Sequence, residues 1–321
     1  MIKNRELHYS TSSEIKLFQE ERLKETLRYL AEHSPFYKRM FDDNNINIDD
    51  IKTIEDLTKI PTTSKNDLQS NNADFICVDS VDIIDYVTTS GTLGEPVTFA
   101  LTDSDLQRLA YNEASSFTMA GCTKEDVMQL MTTIDRRFMA GLAYFMGARE
   151  LGCGVVRVGN GIPELQWDTI KRVKSSACMV VPSFLTKMVE FAENNNIDYN
   201  NSTLKKAICI GEALRNPGGE LTTLGKKISE QWGALELYST YASTEMQTSF
   251  TECEAHEGGH IPADLIIVEL LDDNEQPVKD GEPGEVTITT IGVEAMPLLR
   301  FRTGDICIRT SVPCKCGRNS A

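Results

Sequence analysis

The sequence contains no apolar run long enough to cross a bilayer. The longest, residues 138–148, falls well short of a span and reads as a buried helix. Its opening, MIKNRELHYS, lacks an apolar centre and a small-residue cleavage site, so no secretion signal is expected. Basic residues are in deficit: 32 Lys and Arg stand against 48 Asp and Glu, giving a formal net charge of -16. A surface so acidic repels phosphate backbones and anionic lipid, which argues against nucleic-acid and membrane partners. Histidine is scarce, with four in the chain, and offers little for Ser-His-Asp chemistry. There is no internal repeat and no linker rich in Gly, Ser or Pro. The nine cysteines are an odd number, so a complete disulfide framework is not implied. Cys77, Cys153, Cys178, Cys209 and Cys307 lie singly in apolar stretches, as small buried hydrophobes of a reducing compartment do. A cytoplasmic enzyme fits this composition.

What is present is ordinary globular material: 321 residues, 40% hydrophobic and 25% charged, enough for one large or two average domains. Residues 11–35 read as an amphipathic helix. Thr11 and Glu14 suit a capping box, and Leu23, Leu27 and Leu30 share a face. Apolar runs at 83–88, 127–132, 153–158, 177–182 and 205–210 read as buried strands. Helical stretches near 103–119, 138–151, 164–175, 183–194 and 219–231 alternate with them. Such alternation predicts an α/β fold with a largely parallel sheet covered by helices. After residue 260 the pattern changes to strand-like segments at 265–272, 284–290 and 298–309, separated by turn residues. A small antiparallel β subdomain is expected there. The resulting division is a helical leader (1–80), an α/β body (81–260) and a β subdomain (261–321).

Chemistry concentrates in three segments. In Thr88-Thr89-Ser90-Gly91-Thr92-Leu93-Gly94-Glu95-Pro96 a strand runs into hydroxyl residues and glycines. Glycines admit phosphate oxygens to backbone N–H groups, and hydroxyls add neutral donors. No Gly-Lys-Ser/Thr is present in it, so it is not a Walker loop. Taken alone it is more often a surface turn. The second segment is Tyr238-Ser239-Thr240-Tyr241-Ala242-Ser243-Thr244-Glu245, pairing an aromatic face with a carboxylate. The third is Phe301-Arg302-Thr303-Gly304-Asp305, whose carboxylate can accept two hydroxyl donors. Gly211-Glu212-Ala213 and Gly284-Glu285-Val286 lie between them. Read singly, these are a solvated strand end and a turn between strands.

In this order the segments resemble the signatures of the adenylate-forming enzymes, which activate carboxylates with ATP. Glu95 stands where that family has a basic residue, and Ala242 where it has glycine. His33-Ser34-Pro35-Phe36-Tyr37, Asp56-Leu57 and Ile60-Pro61-Thr62-Thr63-Ser64-Lys65-Asn66-Asp67-Leu68 resemble the leader of phenylacetate–CoA ligases. The resemblance implies the large N-terminal domain of that family, with layered, mostly parallel sheets, helices and an antiparallel subdomain. It implies that Thr89, Ser90, Gly91, Thr92 and Gly94 cradle phosphate and that Gly211, Glu212 and Ala213 lie beside adenine. Tyr241 would stack on the base, with Ala242 and Ser243 part of the same nucleotide-binding segment, Thr244 would bond the α-phosphate, Glu245 would hold Mg²⁺, and Asp305 would hold the ribose. The expected reaction joins an aryl or arylacetic acid to CoA through an acyl-adenylate. Arg136 and Arg137 fall near the expected acyl pocket, as contacts for a more polar acid or as solvated side chains. Family members continue into a C-terminal domain carrying a catalytic lysine, whereas this sequence stops at Ala321. The expectation is therefore a nucleotide- and acyl-binding portion with negligible acyl-CoA formation. The alternatives are a non-catalytic nucleotide-binding domain, or a ligase with another acceptor than CoA. A homodimer is compatible with either.

A metal site is also expected. Cys314-Lys315-Cys316-Gly317 has the form of a metal knuckle, and Cys253 and His260 flank a glycine-containing loop upstream. Together they would close a tetrahedral structural zinc site, with His256 as the alternative imidazole and free thiols as the ordinary reading.

Overall fold

The computed structural model describes residues 3–89 and 96–321. They form two compact units. One comprises the residues up to Arg108 with Ser243–Thr248 and Ile261–Ala321, the other Leu109–Ala242 with Ser249–His260. Among the described residues no helix is long and apolar enough to cross a membrane.

The chain begins with α1 (Ser12–His33), α2 (Pro35–Asp43) and α3 (Lys65–Ser70). The capping box expected at Thr11 is present: Thr11 Oγ1 accepts from Glu14 N, and Glu14 returns a carboxylate to Thr11 N. Leu23, Leu27 and Leu30 form the buried stripe of α1. Ser64 and Asp67 make the same reciprocal cap for α3, which accounts for those residue types in segment 60–68. β1 (Asp85–Thr88) then pairs antiparallel with β2 (Thr98–Leu101). Here the expected parallel placement of segment 83–88 is corrected. A parallel return needs a crossover of a dozen or more residues, and residues 89–97 are too few. β2 leads into α4 (Asp103–Met119).

The other unit alternates strand and helix: β3 (Val127–Leu130), α5 (Met139–Leu151), β4 (Gly154–Arg157), α6 (Pro163–Val173), β5 (Ala177–Val180), α7 (Pro182–Asn194), β6 (Lys206–Cys209) and α8 (Thr223–Gln231). β7 (Glu236–Ser243), β8 (Thr248–Glu252) and β9 (Gly259–His260) complete a seven-stranded sheet in the order β4-β3-β5-β6-β7-β8-β9. Its first five strands run parallel. Strand residues point alternately to two cores. Cys178, Val180, Ala207, Cys209 and Leu237 join Trp167, Leu185 and Trp232 on one face. Ala177, Met179, Ile208 and Tyr238 meet Phe117 and Tyr144 on the other. A sheet covered on both faces needs near-continuous apolar strands, as β3, β5 and β6 are, whereas β4 at the sheet edge is exposed to half-buried, against the expectation of a buried strand at 153–158. α8 is shorter than expected, because Arg215 and Leu221 pair as a tight bridge and Thr222 then caps the helix at Gly225 N.

β10 (Ile266–Leu271), β11 (Pro283–Thr290) and β12 (Phe301–Ile308) form the antiparallel sheet expected at the end of the chain. Cys307 is only half buried, against expectation, because β12 is an edge strand with Ile306 and Ile308 exposed beside it.

Candidate functional site

In the parallel sheet the functional segments stand at strand ends. β6 and β7 are paired neighbours, with Cys209 opposite Ser239. Gly211, at φ +77°, turns the chain sharply after β6, a conformation glycine adopts without strain. Glu212 reaches back so that its carboxylate accepts the Ser183 N–H in the first turn of α7, at 2.8 Å. The Ala213 carbonyl accepts from Thr222 Oγ1. Tyr241 and Ala242 are among the last residues of β7, at its carboxyl end. The Tyr241 ring is half buried and packs on Phe250 at 5.6 Å between centroids, tilted by 59°. Ligands of open α/β sheets bind outside such carboxyl ends. Ser243 Oγ then accepts from Met246 N, closing a turn that carries Thr244 and Glu245, both partly exposed.

The third segment is part of β12 and not a turn between strands. Thr287 pairs with Arg302 and Glu285 with Ile306, so Thr303, Gly304 and Asp305 bulge out of the ladder. Gly304 supplies φ +83°, and Asp305 is exposed on the bulge. Glu285 holds this shape. One of its carboxylate oxygens accepts from Gly304 N at 3.0 Å, and the other from Arg302 Nε at 2.8 Å and from Arg302 Nη2. Thr303 Oγ1 donates to Val286 O and accepts from Asp305 N. The Gly-Glu-Val segment thus fixes the backbone that presents Asp305.

The leader supports the same strand, a role the sequence did not reveal. Thr63 N donates to Arg300 O at 2.9 Å and Arg302 N donates to Thr63 O at 2.8 Å, so segment 60–68 runs beside the start of β12. Leu299 N donates to the buried Tyr37 hydroxyl, and Arg300 Nη1 donates to Ile60 O.

Of the segment expected to take phosphate, Thr89 is described and buried. Its N–H donates to Val97 O and its hydroxyl accepts from Val97 N. Ser90, Gly91, Thr92, Gly94 and Glu95 lie outside the described residues. Arg136 and Arg137 are exposed, and Arg136 lies 4.0 Å from Asp135. Their placement is that of solvated side chains.

Cys253, buried after β8, and His260, buried in β9, lie in one unit, and the partly exposed Cys314 and Cys316 lie in the other. His256 is engaged elsewhere: Nδ1 lies 3.3 Å from the Glu252 carboxylate, which also takes Arg215 Nε at 2.7 Å and Ser239 N at 3.0 Å.

Comparison with known proteins decides what the arrangement belongs to. Residues 24–295 match the family described as AMP-binding enzyme. The chain belongs to that family. The phenylacetate-coenzyme A ligase of Thermus thermophilus is 30% identical over 324 residues, spanning 99% of this chain and 71% of that protein. The Aromatoleum evansii enzyme of the same name is also 30% identical, across 92% of this chain and 67% of its own length. Among solved structures, 2-hydroxyisobutyryl-CoA ligase in complex with 2-HIB-AMP and CoA superposes with a TM-score of 0.88 over 98% of this chain and 68% of that one. At 24% identity this likeness speaks for the fold: the described elements are those of the large domain of AMP-binding enzymes.

Proposed function

We propose that this AMP-binding family member is an AMP-forming carboxylic acid–CoA ligase, its 321 residues supplying nucleotide and acyl binding. The acid's carboxylate attacks the α-phosphate of ATP, pyrophosphate leaves, and the CoA thiolate then displaces AMP from the acyl-adenylate. The observation that carries this reading is the ordered set of motifs, each with its own local support: Thr89 bonded to Val97, Tyr241 at the end of β7, and Asp305 on a bulge held by Glu285. Thr89 and the Ser90–Gly94 segment after it would take the phosphates, Gly211 to Ala213 and Tyr241 the adenine, Thr244 the α-phosphate, and Asp305 the ribose hydroxyls. Glu245 offers the hard oxygen donor that Mg²⁺ prefers. Mg²⁺ would neutralise phosphate charge, while the protein contributes position and preorganised donors. The relatives' names favour an aryl or arylacetic acid, and the exposure of Arg136 and Arg137 fits an uncharged acyl group. A cytoplasmic protein is the compartment this reading favours. Whatever its rate, acid-dependent turnover of MgATP should yield AMP and pyrophosphate. Chromatographic detection of ADP and phosphate instead would overturn the assignment.

The metal reading is structural zinc at Cys253, His260, Cys314 and Cys316. Three thiolates and an imidazole make a closed donor set, and tetrahedral zinc with sulfur at about 2.3 Å spaces its ligands by roughly 3.8 Å. Elemental analysis should find about one zinc per chain, and a chelator should lower the melting temperature. Protein without metal and with all these thiols titrating freely when folded would contradict it.

A further inference from the structure

Along α4, Arg108, Asn112 and Ser116 recur every fourth residue and so share one face. Gln247, just before β8, and Ser249 and Thr251 within it recur every second residue. The two series meet rung by rung. Arg108 Nη1 donates to Gln247 O at 2.6 Å. Asn112 Nδ2 donates to Ser249 Oγ at 3.0 Å, and Ser249 N donates to Asn112 Oδ1 at 3.3 Å. Ser116 Oγ shares a hydrogen bond with Thr251 Oγ1. The repeats are commensurate: four helical residues advance about 6 Å, and two strand residues about 6.6–6.8 Å. A slip by one residue would break every rung.

The first rung is the strongest, because Arg108 is wholly buried and spends its guanidinium on backbone carbonyls. Besides Gln247 O it donates through Nε to Ile291 O at 2.8 Å and through Nη2 to Leu265 O at 2.6 Å. Gln247 itself is in an unfavourable state. It has φ +48°, and among the described residues neither atom of its buried amide finds a partner. A residue held in such a conformation persists only where its surroundings impose it. Gln247 ends the short turn that carries Thr244 and Glu245.

We propose that Arg108 is a positioning residue of the nucleotide site. By gripping the Gln247 carbonyl, in the register that the α4 ladder sets, it fixes the turn presenting Thr244 and Glu245. The inference rests on the reading that Glu245 serves the metal of MgATP, and one thermodynamic cycle separates the two. MgATP is titrated calorimetrically into wild type, Arg108→Met, Glu245→Ala and the double variant. Each single change should weaken binding about tenfold or more, and the double variant should bind no more weakly than Glu245→Ala alone. Arg108→Lys, which retains a cationic donor, should recover part of the loss. A general structural defect predicts additive losses, and additivity would overturn the proposal. Unchanged affinity in Glu245→Ala would overturn the underlying reading instead. Should Arg108→Met fail to fold, Asn112→Ala on the second rung takes its place in the cycle. The same non-additivity is expected, and additive losses would again refute the ladder.

Discussion

Arg300→Met is expected to destabilise the folded chain by about 3–5 kcal/mol, the range for breaking a buried ion pair from one side. The Arg300 and Glu269 side chains are 2% and 7% exposed, and they meet through two parallel hydrogen bonds of 3.0 Å. Such a bidentate pair satisfies both partners at once. The arginine also holds Ile60 O, while its own carbonyl takes Thr63 N, so its loss loosens the leader from β12. Burial pushes the Glu269 carboxyl above its usual range, and Arg300 opposes that shift. In the variant the opposition is gone and the folded pKa rises further. A raised folded pKa means that stability is retained below the unfolded value of 4.5 and lost as pH rises through the folded value. The deficit of the variant should therefore be smallest in acid and grow toward neutrality. Replacing Glu269 by leucine as well should restore much of the loss, since an apolar pair leaves no uncompensated charge. Urea unfolding at two pH values checks all three points. A deficit under about 1 kcal/mol at neutral pH would show that the pair does not clamp the leader to β12.

Much of this architecture was legible because its causes are local. Alternating strand and helix periods revealed β3 to β6 and their covering helices, since the strands buried on both faces, β3, β5 and β6, demand apolar runs. Helix starts were legible where a capping residue spoke for them, as at Thr11. β7 and β8 were not, because Ser239, Thr240, Thr248, Ser249 and Thr251 interrupt any apolar pattern, and their polar groups are satisfied by partners distant in sequence. The pairing of β1 with β2 required weighing loop length as well as strand character. In the site, the order of motifs pointed to Tyr241, Glu245 and Asp305, but not to what holds them. Glu285 bonding to Gly304 N, Thr63 beside β12 and Arg108 on Gln247 are long-range contacts that leave no local trace. One hint was available: polar residues at 108, 112 and 116 on a helix otherwise suited to burial mark a face with polar partners.

This chain is expected to bind adenine nucleotides through its motif residues, and Asp305→Ala is the sharpest probe of that binding. Asp305 sits on a bulge that Glu285, Thr303 and Gly304 hold in shape. Its carboxylate is a single group able to accept from both ribose hydroxyls, a pairing that alanine leaves unmade. An enclosed polar pair deprived of one side typically loses about 2 kcal/mol or more, which is roughly a thirtyfold change in affinity. The fold should be untouched, because the side chain is exposed and lies outside the β12 ladder. Calorimetric titration with AMP and with MgATP should show one site in the wild-type chain and at least a thirtyfold weaker one in the variant, at equal melting temperatures. Equal affinities in the two proteins, or no binding of adenine nucleotide to either, would contradict the claim.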